Sequence, residues 1–348
     1  MGKKTKAELI IPPNPYLCDE RRNPPLGILY LAAVAEKKGY NINITDLRGR
    51  DFDNFYNEIR EADVYGITSA TPDYSRALEI AKLIKSKNPR AWIVIGGIHA
   101  TSLSQEIGYE FDKIVIGEGE NSFLDILEDF ENKNDGKRFY QSEIIDDLDS
   151  IPFPARHLLP YDSVFSKNAF SVGGEYAGTL ITSRGCPNQC SFCGSSAMWG
   201  KKVRFRSPDN VVGEIKEMME KYRVRSFRFQ DDTMTLNKKH LEELCSKLSP
   251  LGIKWRTTTR VDKVNFEILN MMKQAGCDEI GYGIESLCQE VLDKNAKKIK
   301  ISQVYEALEN TARVGLKTRL FFIVGLPGEP LGFTQRLGDF LQKTNPEG

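Results

Sequence analysis

At 348 residues the chain is long enough for two domains with ordinary cores. Apolar residues make up 40% of it and charged residues 28%, as in soluble globular proteins, and 48 basic side chains balance 48 acidic ones. That balance argues against nucleic acid or an anionic membrane surface as the main partner, and no apolar run is long enough to span a bilayer or to form a secretory signal, so a cytoplasmic protein is expected.

In chain order, residues 1–135 alternate strand and helix. Strands are predicted at Glu8–Ile11, Asn41–Asp46, Val64–Thr68, Trp92–Ile95 and Lys113–Ile116, with amphipathic helices such as Leu26–Lys38 and Tyr74–Lys87 between them. Short apolar strands separated by helices imply a parallel sheet covered on both faces, here a doubly wound, flavodoxin-like (Rossmann-like) α/β domain. From about Glu131 to Gly174 the pattern breaks: ENKNDGK is turn-rich and IPFPARHLLPYD carries prolines, so residues 136–175 read as a linker.

Alternation resumes over 176–348. Strands are predicted at Thr179–Thr182, Ser226–Gln230, Lys254–Thr258, Glu279–Gly283 and Arg319–Val324. Helices are predicted at Pro208–Tyr222, Lys238–Leu248, Asn265–Ala275, Ser302–Val314 and Phe333–Lys343. Five βα units in series suggest a barrel or part of one, with its chemistry at the carboxyl ends of the strands.

Seven cysteines are present, and Cys186, Cys190 and Cys193 crowd into the segment SRGCPNQCSFCG just after the first strand of the second domain. In a reducing compartment such crowding marks metal ligands rather than disulfides. Electron-transfer clusters take four thiolates, whereas three leave one iron open to a substrate. A structural zinc remains an alternative, with His157 or His240 as its fourth ligand. Cys18, Cys245, Cys277 and Cys288 read as ordinary small side chains. The run GKKVRFRSP reads as a solvated strand in preference to a phosphate or nucleic-acid contact.

The C-x3-C-x2-C loop, with Phe192 before its last cysteine, resembles the signature of the radical S-adenosylmethionine superfamily. The resemblance implies a [4Fe-4S] cluster on Cys186, Cys190 and Cys193 whose open iron chelates S-adenosylmethionine. Reductive cleavage there gives a 5′-deoxyadenosyl radical. FRFQDDT, TTTRVD, GYGIES and FFIVGLPGE follow at successive strand ends. By the same resemblance, Phe192, Asp231, Asp232, Arg260, Glu285 and Gly325 would contact the cosubstrate.

In the first domain, small loops end three strands: Thr68-Ser69, Gly96-Gly97 and Gly117-Glu118-Gly119. They suit a broad ligand pressed on the backbone in the crevice of an open α/β sheet. Neither a G-x-G-x-x-G after the first strand nor a P-loop is present. Pro24–Tyr40, Ile93–Thr101, Ile114–Glu120 and IPFPARHLLP resemble the cobalamin-binding module that precedes many radical S-adenosylmethionine domains. The D-x-H-x-x-G motif of other cobalamin proteins is missing, and His99 is expected to have a hydrogen-bonding loop role rather than to ligate cobalt.

The resemblance thus implies a cobalamin-dependent radical methyltransferase acting on an unreactive carbon of a small molecule or natural product. A flavodoxin or ferredoxin would supply electrons, with no nucleic acid and no membrane involved. The alternatives are a radical cyclase, rearrangement or oxidation without methyl transfer, or an inactive cofactor-binding fragment. Barrels of this family have six βα units; five are counted here, so a partial barrel truncated at its C-terminal end is expected.

Overall fold

The computed structural model describes residues 4–21, 23–50, 57–165, 167, 172 and 174–344. The chain forms two compact units, Met1–Ser166 with Ala197–Gly200, and Lys167–Ser196 with Lys201–Gly348.

The first unit is built on strands β1 (Lys6–Ile11), β2 (Asn41–Asp46), β3 (Val64–Thr68), β4 (Trp92–Gly96), β5 (Lys113–Val115) and β6 (Phe139–Tyr140). All pair in parallel, in the order β2-β1-β3-β4-β5-β6. Helices α1 (Leu26–Lys37), α2 (Tyr74–Lys87), α3 (Ile98–Ser102) and α4 (Glu120–Glu131) alternate with the strands. Central strands such as Val64–Ile67 are buried throughout, because helices cover both faces of the sheet. The strand order is the flavodoxin-like one, which reverses direction beside β1 and opens a crevice at the carboxyl ends. Residues 136–165, expected as a linker, belong with this unit. Phe139 and Tyr140 add the sixth strand, and the Tyr140 hydroxyl donates to Asp129 at 2.7 Å. The short helix α5 (Tyr161–Val164) follows.

The second unit carries β7 (Ala177–Leu180), the two-residue strands β8 (Ser183–Arg184) and β9 (Arg204–Phe205), then β10 (Ser226–Phe229), β11 (Lys254–Thr259), β12 (Cys277–Glu285) and β13 (Lys317–Phe322). Its five-stranded sheet is parallel, in the order β13-β12-β11-β10-β7, while β8 and β9 pair antiparallel. Short helix α6 (Ser195–Trp199) precedes α7 (Pro208–Tyr222), α8 (Lys238–Leu248), α9 (Phe266–Gln274), α10 (Gln289–Lys294), α11 (Ile301–Val314) and α12 (Phe333–Thr344). Side-chain caps start three of these helices: Ser207, Asn237 and Asn265 accept from the backbone N–H three residues on. A Gly315 in the left-handed region at φ 72° stops α11.

Two details depart from the sequence reading. The first strand of this unit ends at Leu180 because the Thr182 N–H turns from the ladder to the Asp231 carboxylate, 3.1 Å away. The basic run after the cysteines is solvated only in its first half, where Lys201 and Lys202 are exposed. Arg204 and Arg206 are buried, and Arg206 donates to Ile181 O at 2.9 Å and Asn210 Oδ1 at 2.7 Å and pairs with Glu214. Desolvating a guanidinium is costly unless its donors are met, so this arginine clamps the strand rather than waiting for phosphate.

Candidate active site

Strand β7 delivers the cysteine loop to the carboxyl edge of its sheet. Gly185 sits at φ 101°, where an added Cβ would lie 2.2 Å from Lys202 O, so only glycine lets the loop pass that backbone. The Cys193 N–H donates to Cys190 O at 3.1 Å, closing a tight turn, and Asn188 Nδ2 donates to Cys186 Sγ at 3.4 Å. All three thiols are free; Cys186 and Cys190 are half-buried and Cys193 is exposed. Burial raises the Cys193 thiol above its ordinary value, and Asp232 and the other two cysteines add to it, a crowding of negative charge that a cationic core would relieve. By contrast, Cys245 and Cys277 are buried, and burial holds both as neutral thiols, Cys245 pushed up to about 12.

The zinc alternative finds no support in this geometry. Among the described residues, no three His, Cys, Asp or Glu side chains converge as a single-ion site requires. His157 Nε2 lies 3.1 Å from Glu36, and His240 Nε2 lies 2.8 Å from Arg206 O. A four-iron cluster spreads its ligands over separate corners, so three thiols carried by one loop suit it without converging on a single point.

The strand-end residues fall into two sets. Asp231 is buried and accepts from Thr182 N, Thr182 Oγ1 at 2.7 Å and Ser183 Oγ at 2.6 Å; burial raises its carboxyl pKa. Its oxygens are therefore committed to the base of the cysteine loop. Arg260, expected to contact the cosubstrate, meets the Asp262 carboxylate at 2.8 Å and Lys297 O at 2.9 Å. The other set stays near the loop. Asp232 is exposed and accepts from Ser195 Oγ. Glu285 pairs with the buried Lys297 ammonium at 2.9 Å, and that ammonium lies 5.9 Å from the centre of the Phe192 ring. Glu285 also sits at φ 71°, a conformation that costs a non-glycine residue about 1 kcal/mol or more. Such strain persists where a side chain is needed. Gly325, at φ 86°, turns the chain after β13. Sequence reasoning missed Lys297 and Asn295; both follow α10 in DKNAKK, a run that looks like ordinary surface charge.

In the first unit a cavity of about 320 Å³ opens among Leu9, Gly27, Ile28, Leu31, Gly66, Thr68, Val94, Gly96, Gly97, Val115, Gly117, Glu118, Gly119 and Phe123. Its floor is apolar, and its rim is the set of glycine loops predicted to hold a ligand. Gly97 lies at φ 97°, and a Cβ there would sit 2.7 Å from Ser69 O. A Cβ on Gly119 would meet Leu31 Cδ2 at 3.1 Å. Glycine is thus required at these two places by the packing of the rim itself, and the glycines leave the cavity lining free of side chains there. Ser69 is the exception among the predicted contacts: it is buried beneath the rim, 3.1 Å from Asp73 Oδ1. His99 reaches across to the neighbouring loop after β3, with Nδ1 3.2 Å from Thr71 Oγ1 and its ring stacked on Tyr74 at 4.0 Å; burial lowers its pKa. In place of the missing histidine motif, the loop after β1 is fastened by Arg48, which donates to Asn23 O at 2.6 Å and pairs with Asp46 at 2.8 Å.

Comparison with known proteins finds a match for each half of the chain. The model of the Radical SAM superfamily matches residues 180–337, and that of the B12 binding domain matches residues 18–127. The uncharacterized methyltransferase PH0819 of Pyrococcus horikoshii is 30% identical, over 94% of this chain and 75% of its own length. This chain belongs to the cobalamin-binding radical S-adenosylmethionine enzymes. Another relative of the enzyme is the cytidylyl-2-hydroxyethylphosphonate methyltransferase of Streptomyces wedmorensis, 27% identical over 87% of this chain and 69% of its own. In fold, the enzyme is similar to the radical S-adenosylmethionine methyltransferase TsrM of Kitasatospora setae, with a TM-score of 0.75 at 16% identity, covering 98% of this chain and 71% of that one. The cofactors of the enzyme are accordingly a [4Fe-4S] cluster, S-adenosylmethionine and cobalamin.

Proposed function

We propose that this enzyme methylates an unreactive carbon of a small molecule. The reading is carried by one pairing: a three-thiolate loop in one unit and, in the same chain, a glycine-rimmed cavity suited to cobalamin. When bound, the cluster and S-adenosylmethionine supply a hydrogen-abstracting radical, and cobalamin supplies the methyl carrier. Cys186, Cys190 and Cys193 hold the cluster. Phe192, Asp232 and Glu285 line the approach to it and orient the cosubstrate. Asp231 and Arg260 brace the loops from beneath, one through Thr182 and Ser183, the other through the carbonyl of Lys297. Thr68, Gly96, Gly97, Gly117, Glu118 and Gly119 line the cobalamin cavity, with Ser69 fixing the turn below.

A small flavodoxin- or ferredoxin-type protein would deliver the electron, and free thiols at the site suit a reducing, cytoplasmic setting. No helix among the described residues is long and apolar enough to cross a membrane.

The test uses the full chain, reconstituted without oxygen with iron, sulfide and cobalamin, then reduced with S-adenosylmethionine present. A methyl-transferring enzyme forms both 5′-deoxyadenosine, from radical cleavage, and S-adenosylhomocysteine, from methylation of the reduced carrier. Deoxyadenosine alone, with cobalamin lost on gel filtration, would overturn the methyltransferase reading in favour of a radical cyclase or oxidation.

A further inference from the structure

The geometry points to Asn295 as the positioning residue of the cysteine loop, setting the electronic environment of the cluster through Ser191. This inference rests on the cluster-binding part of the reading above and not on methyl transfer.

Ser191 lies between Cys190 and Cys193. Its backbone N–H donates to Asn295 O at 3.1 Å, and its hydroxyl donates to Asn295 Oδ1 at 2.8 Å. The other end of the same side chain is also engaged: Asn295 Nδ2 donates to Val291 O at 2.9 Å and to Pro327 O at 3.1 Å. The Asn295 N–H itself caps α10 by donating to Val291 O at 3.0 Å. One buried amide, 2% exposed, therefore ties together three strand-end loops: the cysteine loop after β7, the end of the helix after β12, and the glycine loop after β13.

The Asn295 amide meets every side-chain bond at this place. These bonds need one acceptor for Ser191 and two donors for the carbonyls of Val291 and Pro327. The following residues show that the chain bends to present it, because Ala296 and Lys298 both lie in the left-handed region, at φ 53° and 55°.

The consequence for the cluster is electrostatic as well as geometric. Reduction potentials of iron–sulfur clusters respond to hydrogen bonds at their sulfurs. Residue 191 lies between two ligands, and its N–H is held by the main-chain carbonyl of Asn295. The Asn295 side chain anchors that segment to Val291 and Pro327 and holds the Ser191 hydroxyl, so removing the amide frees the ligand-bearing turn to shift, and with it the hydrogen bonds around the cluster.

The test compares Asn295→Ala, Ser191→Ala and Ser191→Thr in the reconstituted full chain. Iron and sulfide per chain should match the parent, since the thiolates are untouched. The EPR signal of the reduced cluster and its midpoint potential should shift, more in Asn295→Ala than in Ser191→Ala. Ser191→Thr, which keeps the hydroxyl, should restore the parent values. Formation of 5′-deoxyadenosine should fall at least about tenfold in Asn295→Ala, in line with the cost of small misplacements at reacting centres. Parent-like signal, potential and rate in both alanine variants would overturn the assignment. Should Asn295→Ala fail to fold, the Ser191 pair decides alone: no shift in Ser191→Ala, or no recovery in Ser191→Thr, overturns it. These readouts precede any methylation, so a failed methyl transfer leaves them standing.

Discussion

At the scale of single residues, the enzyme separates its loop thiols from its core thiols by accessibility rather than by residue type. Cys186, Cys190 and Cys193 stand on an open loop, whereas Cys245 and Cys277 are enclosed by apolar packing that keeps their protons on. Replacing any of the loop cysteines by Ala should abolish the visible absorption of the cluster and most bound iron. Cys245→Ala should leave iron content at the parent level and cost only about 1 kcal/mol from the small void it leaves. Iron analysis of both variants checks this; loss of iron from Cys245→Ala would mean the ligand set is misassigned.

At the scale of elements, the loop after β7 depends on what lies beneath it. Asp231 turns the chain away from the ladder at Thr182, and Gly185 slides past Lys202 O where no side chain fits. Gly185→Ala must move one of these backbones, so it should lower iron incorporation several-fold and the thermal midpoint by several degrees, read by iron assay and calorimetry. The extent of each element was legible in sequence wherever periodicity ran over several turns, as in α2, α7 and α8, whose bounds match the apolar pattern. It was not legible where tertiary bonds override local preference. Phe139–Tyr140 is too short to show alternation, and Arg204 and Arg206 look like surface charge until Glu214 and Asn210 are seen to enclose the latter. The site divides the same way. Three cysteines at fixed spacing and glycines at strand ends announce themselves. Asn295 and Lys297 reach the site through the fold alone, and Arg260 and Asp231 differ from neighbouring polar residues only in partners that sequence does not display.

At the scale of the whole molecule, two parallel sheets place their ligand loops at the carboxyl ends of their strands, and each unit has its own core. The two cofactors should therefore be separable by mutation. Gly97→Ala introduces a Cβ 2.7 Å from Ser69 O at a backbone angle that alanine resists, and should weaken cobalamin retention at least about tenfold. Iron content and 5′-deoxyadenosine formation should stay near parent levels in that variant, so that equilibrium dialysis and product analysis give opposite answers. Parallel loss of both cofactors would show that the units do not load independently.

The Glu285 backbone has an implication for attempts to harden the enzyme. Glycine would relax φ 71° there, and an apolar residue in place of Lys297 would remove the need to bury an ammonium. A library screened for survival of heating alone would therefore drift toward discarding both charges together. Survivors of such a screen would outlast the parent in the incubator and do nothing in the assay.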